Sequence, residues 1–170
     1  MNTPDTAFAW ASQAAALGWV CLLTGVVAQG LAVRRAGTAR WAHGCLWVGG
    51  RLLPVLLCAG YALALARWSG SAEGGFGSLH EVARLFETRG MLLAGWVHYL
   101  AFDLWVGRWQ VDRLAQALGT CGAARPAWGL RLAAMPCLLM TFLLGPVGLL
   151  MFLLLIGLHA RTAPAPTGTA

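Results

Sequence analysis

Two ionisable residues, His98 and Asp103, interrupt an apolar run over residues 91–107, M-L-L-A-G-W-V-H-Y-L-A-F-D-L-W-V-G. An ionisable side chain in hydrocarbon costs about 2.5–3.5 kcal/mol even on the lenient insertion scale, so its presence points to a proton-handling or ligand-binding role. An acid and an imidazole on one segment can supply a general acid and a general base to one apolar substrate. Tyr99 precedes Asp103 by four residues and shares its helical face, within reach of the carboxyl or of a common ligand. His98 is five residues from Asp103 and lies about 140° around the helix, on a different part of any pocket wall.

Counting inward from Met91 at about 1.5 Å per residue, His98 lies about 10 Å deep and Asp103 about 18 Å deep, just past the midplane of a core roughly 30 Å thick. A later apolar run, 135–158, returns in the opposite direction and brings Thr141, Phe142, Gly145 and Pro146 to the depth of Asp103. Pro146 has no N–H to give the carbonyl of Phe142, so a helix running through it must kink. Helix breaks at membrane depth are tolerated where they line a cavity. The expected site therefore has Asp103 and His98 as acid and base, with Trp96, Tyr99, Thr141, Phe142, Gly145 and Pro146 around the ligand. The plainer alternative is that Asp103 pairs with a polar neighbour and fixes helix packing.

The elements that must position these groups follow from composition. Hydrophobic residues make up 59% of the 170 and charged residues 11%, against about a quarter charged in soluble domains. The formal charge is +6, but the arginines are scattered between apolar runs and form no basic stripe, which argues against nucleic acid as a partner. The five cysteines, Cys21, Cys45, Cys58, Cys121 and Cys137, have no C-x-x-C spacing and imply neither a metal site nor a disulfide framework. No cofactor is expected, because a bis-histidine haem needs two inward histidines at one depth and His98 and His159 differ by about 10 Å.

Four unalternating apolar runs, 8–33, 46–66, 91–107 and 135–158, exclude a barrel and predict an all-α polytopic membrane protein with four transmembrane helices. They make one transmembrane domain over 1–161, with an outer connection over 67–90 and a disordered Pro/Thr/Ala tail over 162–170. The first run lacks a basic leader and is too long for a signal-peptide core, so it reads as a retained helix. Arg34, Arg35, Arg40 and Arg51 flank the first connection and Arg108, Arg113, Arg125 and Arg131 the third, which by the positive-inside rule puts both termini outside. Within the outer connection, Leu79, Val82, Leu85 and Phe86 recur at helical spacing, and Ser78 with Glu81 makes a capping box, so a short amphipathic helix lying in the interface is predicted there.

The stretch G-W-V-H-Y-L-A-F-D-L-W-V-G-R-W at 95–109, then Asp112 and Pro136, then T-F-L-L-G-P-V-G-L-L at 141–150, resembles the abscisic-acid-deficient-four-like family of small integral membrane proteins of plastids and bacteria. The likeness covers about residues 76–152, with the first two runs alike only in general character. The resemblance implies a role in forming neoxanthin from violaxanthin, an epoxide-to-allene isomerisation, with a carotenoid or other isoprenoid as ligand and membrane lipid as surroundings. The all-Arg, Ala- and Gly-rich composition points to a bacterial inner membrane, whose host need not contain violaxanthin, so the substrate is open. A non-catalytic lipid- or pigment-binding or assembly protein is the alternative.

Overall fold

The computed structural model describes residues 3–32, 36–120 and 128–162, and among these every regular element is helical. The helices are α1 (Pro4–Ala32), α2 (Ala36–Trp47), α3 (Leu53–Trp68), α4 (Leu79–Glu87), α5 (Arg89–Thr120), α6 (Trp128–Leu144) and α7 (Pro146–Thr162). α2 and α3 are joined without a break by a π-helical turn, Val48–Leu52. Among the described residues, two stretches are long and apolar enough to cross a membrane, Pro4–Ala32 with 29 residues and Gly37–Ser71 with 35.

α1 is apolar on every side. Ala15, Gly18, Trp19, Leu22, Gly25 and Val26 recur at helical spacing on the buried face. Leu17, Val20, Val27 and Leu31 are exposed on the opposite one. The same division holds for α3, where Leu53, Leu57 and Ala64 are buried while Val55, Leu56 and Leu63 are exposed. Burial inside the bundle therefore does not account for much of the apolar surface these helices carry.

α5 runs parallel to α1: Arg89 pairs with Asp5 at one end, and Leu104 lies against Gly18 further along. α3 runs antiparallel to α5, with Trp68 against Gly90 and Tyr61 beside His98. The bundle thus has a first end, marked by Asp5 and Arg89, and a far end, marked by the last turns of α1. Leu104, Leu22, Val26, Val111 and Leu138 are fully enclosed between them.

Predicted and observed elements differ in three places. α5 continues 13 residues past the predicted 91–107 run, to Thr120, with Val111 and Leu114 buried at helical spacing. The helix through the second apolar run starts at Ala36, not near 46, because the π turn carries it through V-G-G-R-L with the Leu53 N–H bonded to the Val48 carbonyl. The run 135–158 is not one kinked span. α6 ends at Leu144, Gly145 takes a left-handed φ of +45°, and Pro146 opens α7, so the two 17-residue helices fold back on each other. Gly148 is consequently pressed against the backbone of Thr141, two helical turns earlier in sequence, where a side chain would not fit. Proline here starts a helix, in the position that needs no N–H partner, and does not bend a running one. Thr162 closes α7, and the remainder of the expected tail lies outside the described residues.

The short helix predicted in the outer connection is α4. The Glu81 N–H donates to the Ser78 hydroxyl at 3.2 Å, while the Glu81 carboxylate accepts from the Gly77 N–H at 3.0 Å. The reciprocal half of the capping box has slipped back by one residue.

Candidate functional site

Asp103 faces the turn between α6 and α7. A Cβ at position 145 would stand 2.7 Å from Asp103 Oδ1, so the carboxyl occupies the space that glycine leaves open. Seven residues on, and on the same face of α5, Gln110 is fully buried. Its amide nitrogen donates to Thr141 Oγ1 at 3.0 Å and to the Gly148 carbonyl at 3.4 Å, which ties both arms of the hairpin to α5. Thr141 in turn donates to the Cys137 carbonyl at 2.9 Å and has no exposed surface. Phe142 packs on Trp19 with ring centroids 5.6 Å apart.

His98 lies elsewhere on α5, in an aromatic setting. Its ring stacks on Phe102 at 4.6 Å, stands 5.3 Å from Tyr61 of α3, and meets Tyr99 edge-on at 6.3 Å. Tyr61, Phe76, Phe86, His98 and Tyr99 line a cavity of about 320 Å³ between α3, α4 and α5. α4 forms its roof because Phe86 rests on Gly95, where a Cβ would come within 2.8 Å of the ring. This volume is near the lower limit of ligand pockets, roughly 300–1,000 Å³.

Of the residues the sequence singles out, two groups form. Asp103, Thr141, Gly145 and Pro146 gather at the hairpin turn, with Phe142 beside Trp19. His98 and Tyr99 gather in the aromatic cavity. Tyr99 makes no hydrogen bond to Asp103 despite its four-residue spacing. Trp96 belongs to neither group: its indole N–H donates to Ser12 at 3.0 Å and its ring lies 5.5 Å from Phe8, on the side of α5 that meets α1. Sequence reasoning did not single out Gln110, Tyr61 or Phe76. Gln110 lies past the apolar run, although its spacing from Asp103 places both on one face. Tyr61 and Phe76 carry no local signal, because only the packing of α3 and α4 on α5 brings them to His98.

A family model described as ABA DEFICIENT 4-like matches residues 6–152. The chain belongs to the ABA DEFICIENT 4-like family. The match includes α1 and α2 as well as the later motifs, so membership rests on most of the chain and extends well beyond the 76–152 stretch. It takes in His98, Asp103, the Gly145 turn and the whole aromatic cavity. Comparisons with curated proteins and with solved structures give no match.

Proposed function

We propose that this protein works inside a bacterial membrane on an isoprenoid, a xanthophyll or a related polyene, whose ring end enters the aromatic cavity beneath α4. The observation that carries the reading is the placement of His98 among Tyr61, Phe102 and Tyr99 at that cavity. An imidazole amid aromatic faces can take a proton from a polyene carbon while those faces stabilise a cationic intermediate. Family membership supports neoxanthin-type chemistry. In that step a proton is delivered to the epoxide oxygen, the C–O bond breaks, and the pair from the C–H bond that His98 opens forms the allene. Mass and redox state are unchanged. Asp103, at the hairpin turn outside the cavity, is the acid in this reading, which requires the epoxide to lie between the cavity mouth and that turn; the proton gained by His98 restores the acid.

The membrane reading rests on the two long apolar helices and on the exposed Leu and Val of their outer faces. Expression in a violaxanthin-accumulating host tests the whole proposal. Neoxanthin or another rearranged product is expected, together with a polyene absorption band in the detergent-solubilised protein. Finding neither a changed pigment nor a bound one would sink it.

A second reading, a non-catalytic lipid- or pigment-binding protein, is favoured by one observation: Asp103 packs at the hairpin turn and is not among the residues lining the His98 cavity. Asp103→Asn decides between them. Loss of product with the bound polyene retained supports catalysis, whereas retained product with a loosened fold assigns Asp103 to packing.

A further inference from the structure

The far end of the bundle holds a second, chemically different pocket of about 580 Å³, formed by the end of α1, by α2 with its π turn, and by α5. Gln29, His43, Trp47, Arg51 and Arg108 line it. Arg108 lies ten residues beyond His98, about 15 Å further along α5, so this pocket is remote from the aromatic cavity. We propose that it binds a phosphate ester, with Arg51 as its cationic partner and His43 and Gln29 as further donors.

The charge inventory supports an anion. The chain has six carboxylate side chains, and none of them pairs with Arg51. Arg108 is already satisfied: Asp112 takes its Nε and Nη2 at 2.9 and 2.7 Å, and the Leu46 carbonyl takes its Nη1 at 2.9 Å. Among the described lining residues the guanidinium of Arg51 therefore carries the uncompensated positive charge, and a phosphate oxygen is the acceptor such a fork binds most strongly.

The backbone supports a built site. In a regular α-helix, residues eight apart such as His43 and Arg51 lie about 80° from one another. The π turn takes up one extra residue, so eight residues wind about as seven would, and the two side chains come within about 20° of one face. Arg108 holds that turn by capping the Leu46 carbonyl at its start. Trp47, half exposed at the rim, suits the polar boundary of a bilayer, where a headgroup phosphate sits. A lipid headgroup and a soluble phosphate ester share this chemistry, and the test separates them.

The full-length protein in neutral detergent would be melted with short-chain phosphatidylglycerol, with glycerol phosphate, and with diacylglycerol of the same chain length. Stabilisation by phosphatidylglycerol but not diacylglycerol is expected, with half-saturation about tenfold weaker in Arg51→Gln and lost in Arg51→Gln/His43→Ala. Arg67→Gln, at the opposite end of α3, should bind as wild type. An equal effect of glycerol phosphate makes the ligand a soluble ester, and an effect of the lipid alone makes it a headgroup. No stabilisation by either phosphate compound, or one that survives the double variant or is weakened equally by Arg67→Gln, overturns the site.

Discussion

The carboxyl of Asp103 fills the space above Gly145 that any other residue's Cβ would occupy, with Oδ1 2.7 Å from that point. The acid and the hairpin turn are therefore a single structural unit. Gly145 is also left-handed at φ +45°, a conformation that costs a non-glycine residue about 1–2 kcal/mol. Gly145→Ala should lower stability by at least that amount. The loss should shrink in an Asp103→Ala background, where the new methyl no longer displaces the carboxyl. Thermal melts of the four proteins give the coupling. Equal losses in both backgrounds would mean that the contact is incidental. Gly157→Ala, at a position with open space around its Cα, serves as the neutral control.

Gln110 bridges the hairpin to α5 from a fully buried position. Gln110→Leu keeps the bulk but leaves the Gly148 carbonyl without this donor, and should cost about 1–3 kcal/mol. Gln110→Glu removes the donating amide nitrogen and places an acid among the same groups, and should be at least as damaging. A Gln110→Leu melt unchanged from wild type would show that the bridge contributes nothing to stability.

How far these features were readable differs from residue to residue. The helix α4 follows from local chemistry alone: Ser78 caps, and Leu79, Val82, Leu85 and Phe86 set the period. The closeness of Asp103 to Gly145 follows from counting depth along two runs. The fold-back does not follow from that count, because it treats 135–158 as one rod. Its signal was nonetheless present, since glycine directly before proline is the stop-and-start pair of successive helices. The π turn had no signal in V-G-G-R-L, because the group that caps it, Arg108, comes 62 residues after Leu46. The aromatic surroundings of His98 were hidden for the same reason: Tyr61 and Phe86 reach it only through tertiary packing.

His98→Phe separates packing from chemistry. Phenylalanine preserves a ring against Phe102 and Tyr61, so the melting transition should stay within about 0.5 kcal/mol of wild type. Product formation in a pigment-accumulating host should fall by two orders of magnitude or more, the usual contribution of a positioned proton acceptor, roughly 100-fold to 10,000-fold. Full activity in this variant would remove His98 from the mechanism.

The path of the last two helices makes a prediction about sidedness that reverses the one drawn from arginine placement. α6 begins at the far end of the bundle, with Trp128 over Gly30 and Arg131 Nη1 donating to the Val26 carbonyl at 3.3 Å. It rises to Asp103, turns at Gly145, and α7 then descends with Phe152 beside Trp109, 6.1 Å between ring centroids. At 17 residues each, α6 and α7 fall short of the roughly 20 that one upright crossing needs. A hairpin entering and leaving on one face resolves that shortage, because its tip, with Gly145 and Gly148 packed inward and Leu143, Leu144 and Val147 exposed as apolar surface, need not reach the other side. A reporter fused after the last residue should thus appear on the same side as one inserted between α6 and α5, and opposite to one at the start of α1. Paired fusions active on opposite sides of a membrane read this directly. A C-terminal reporter on the side of the N-terminus would mean that α7 crosses, and that the turn at Gly145 opens in the bilayer.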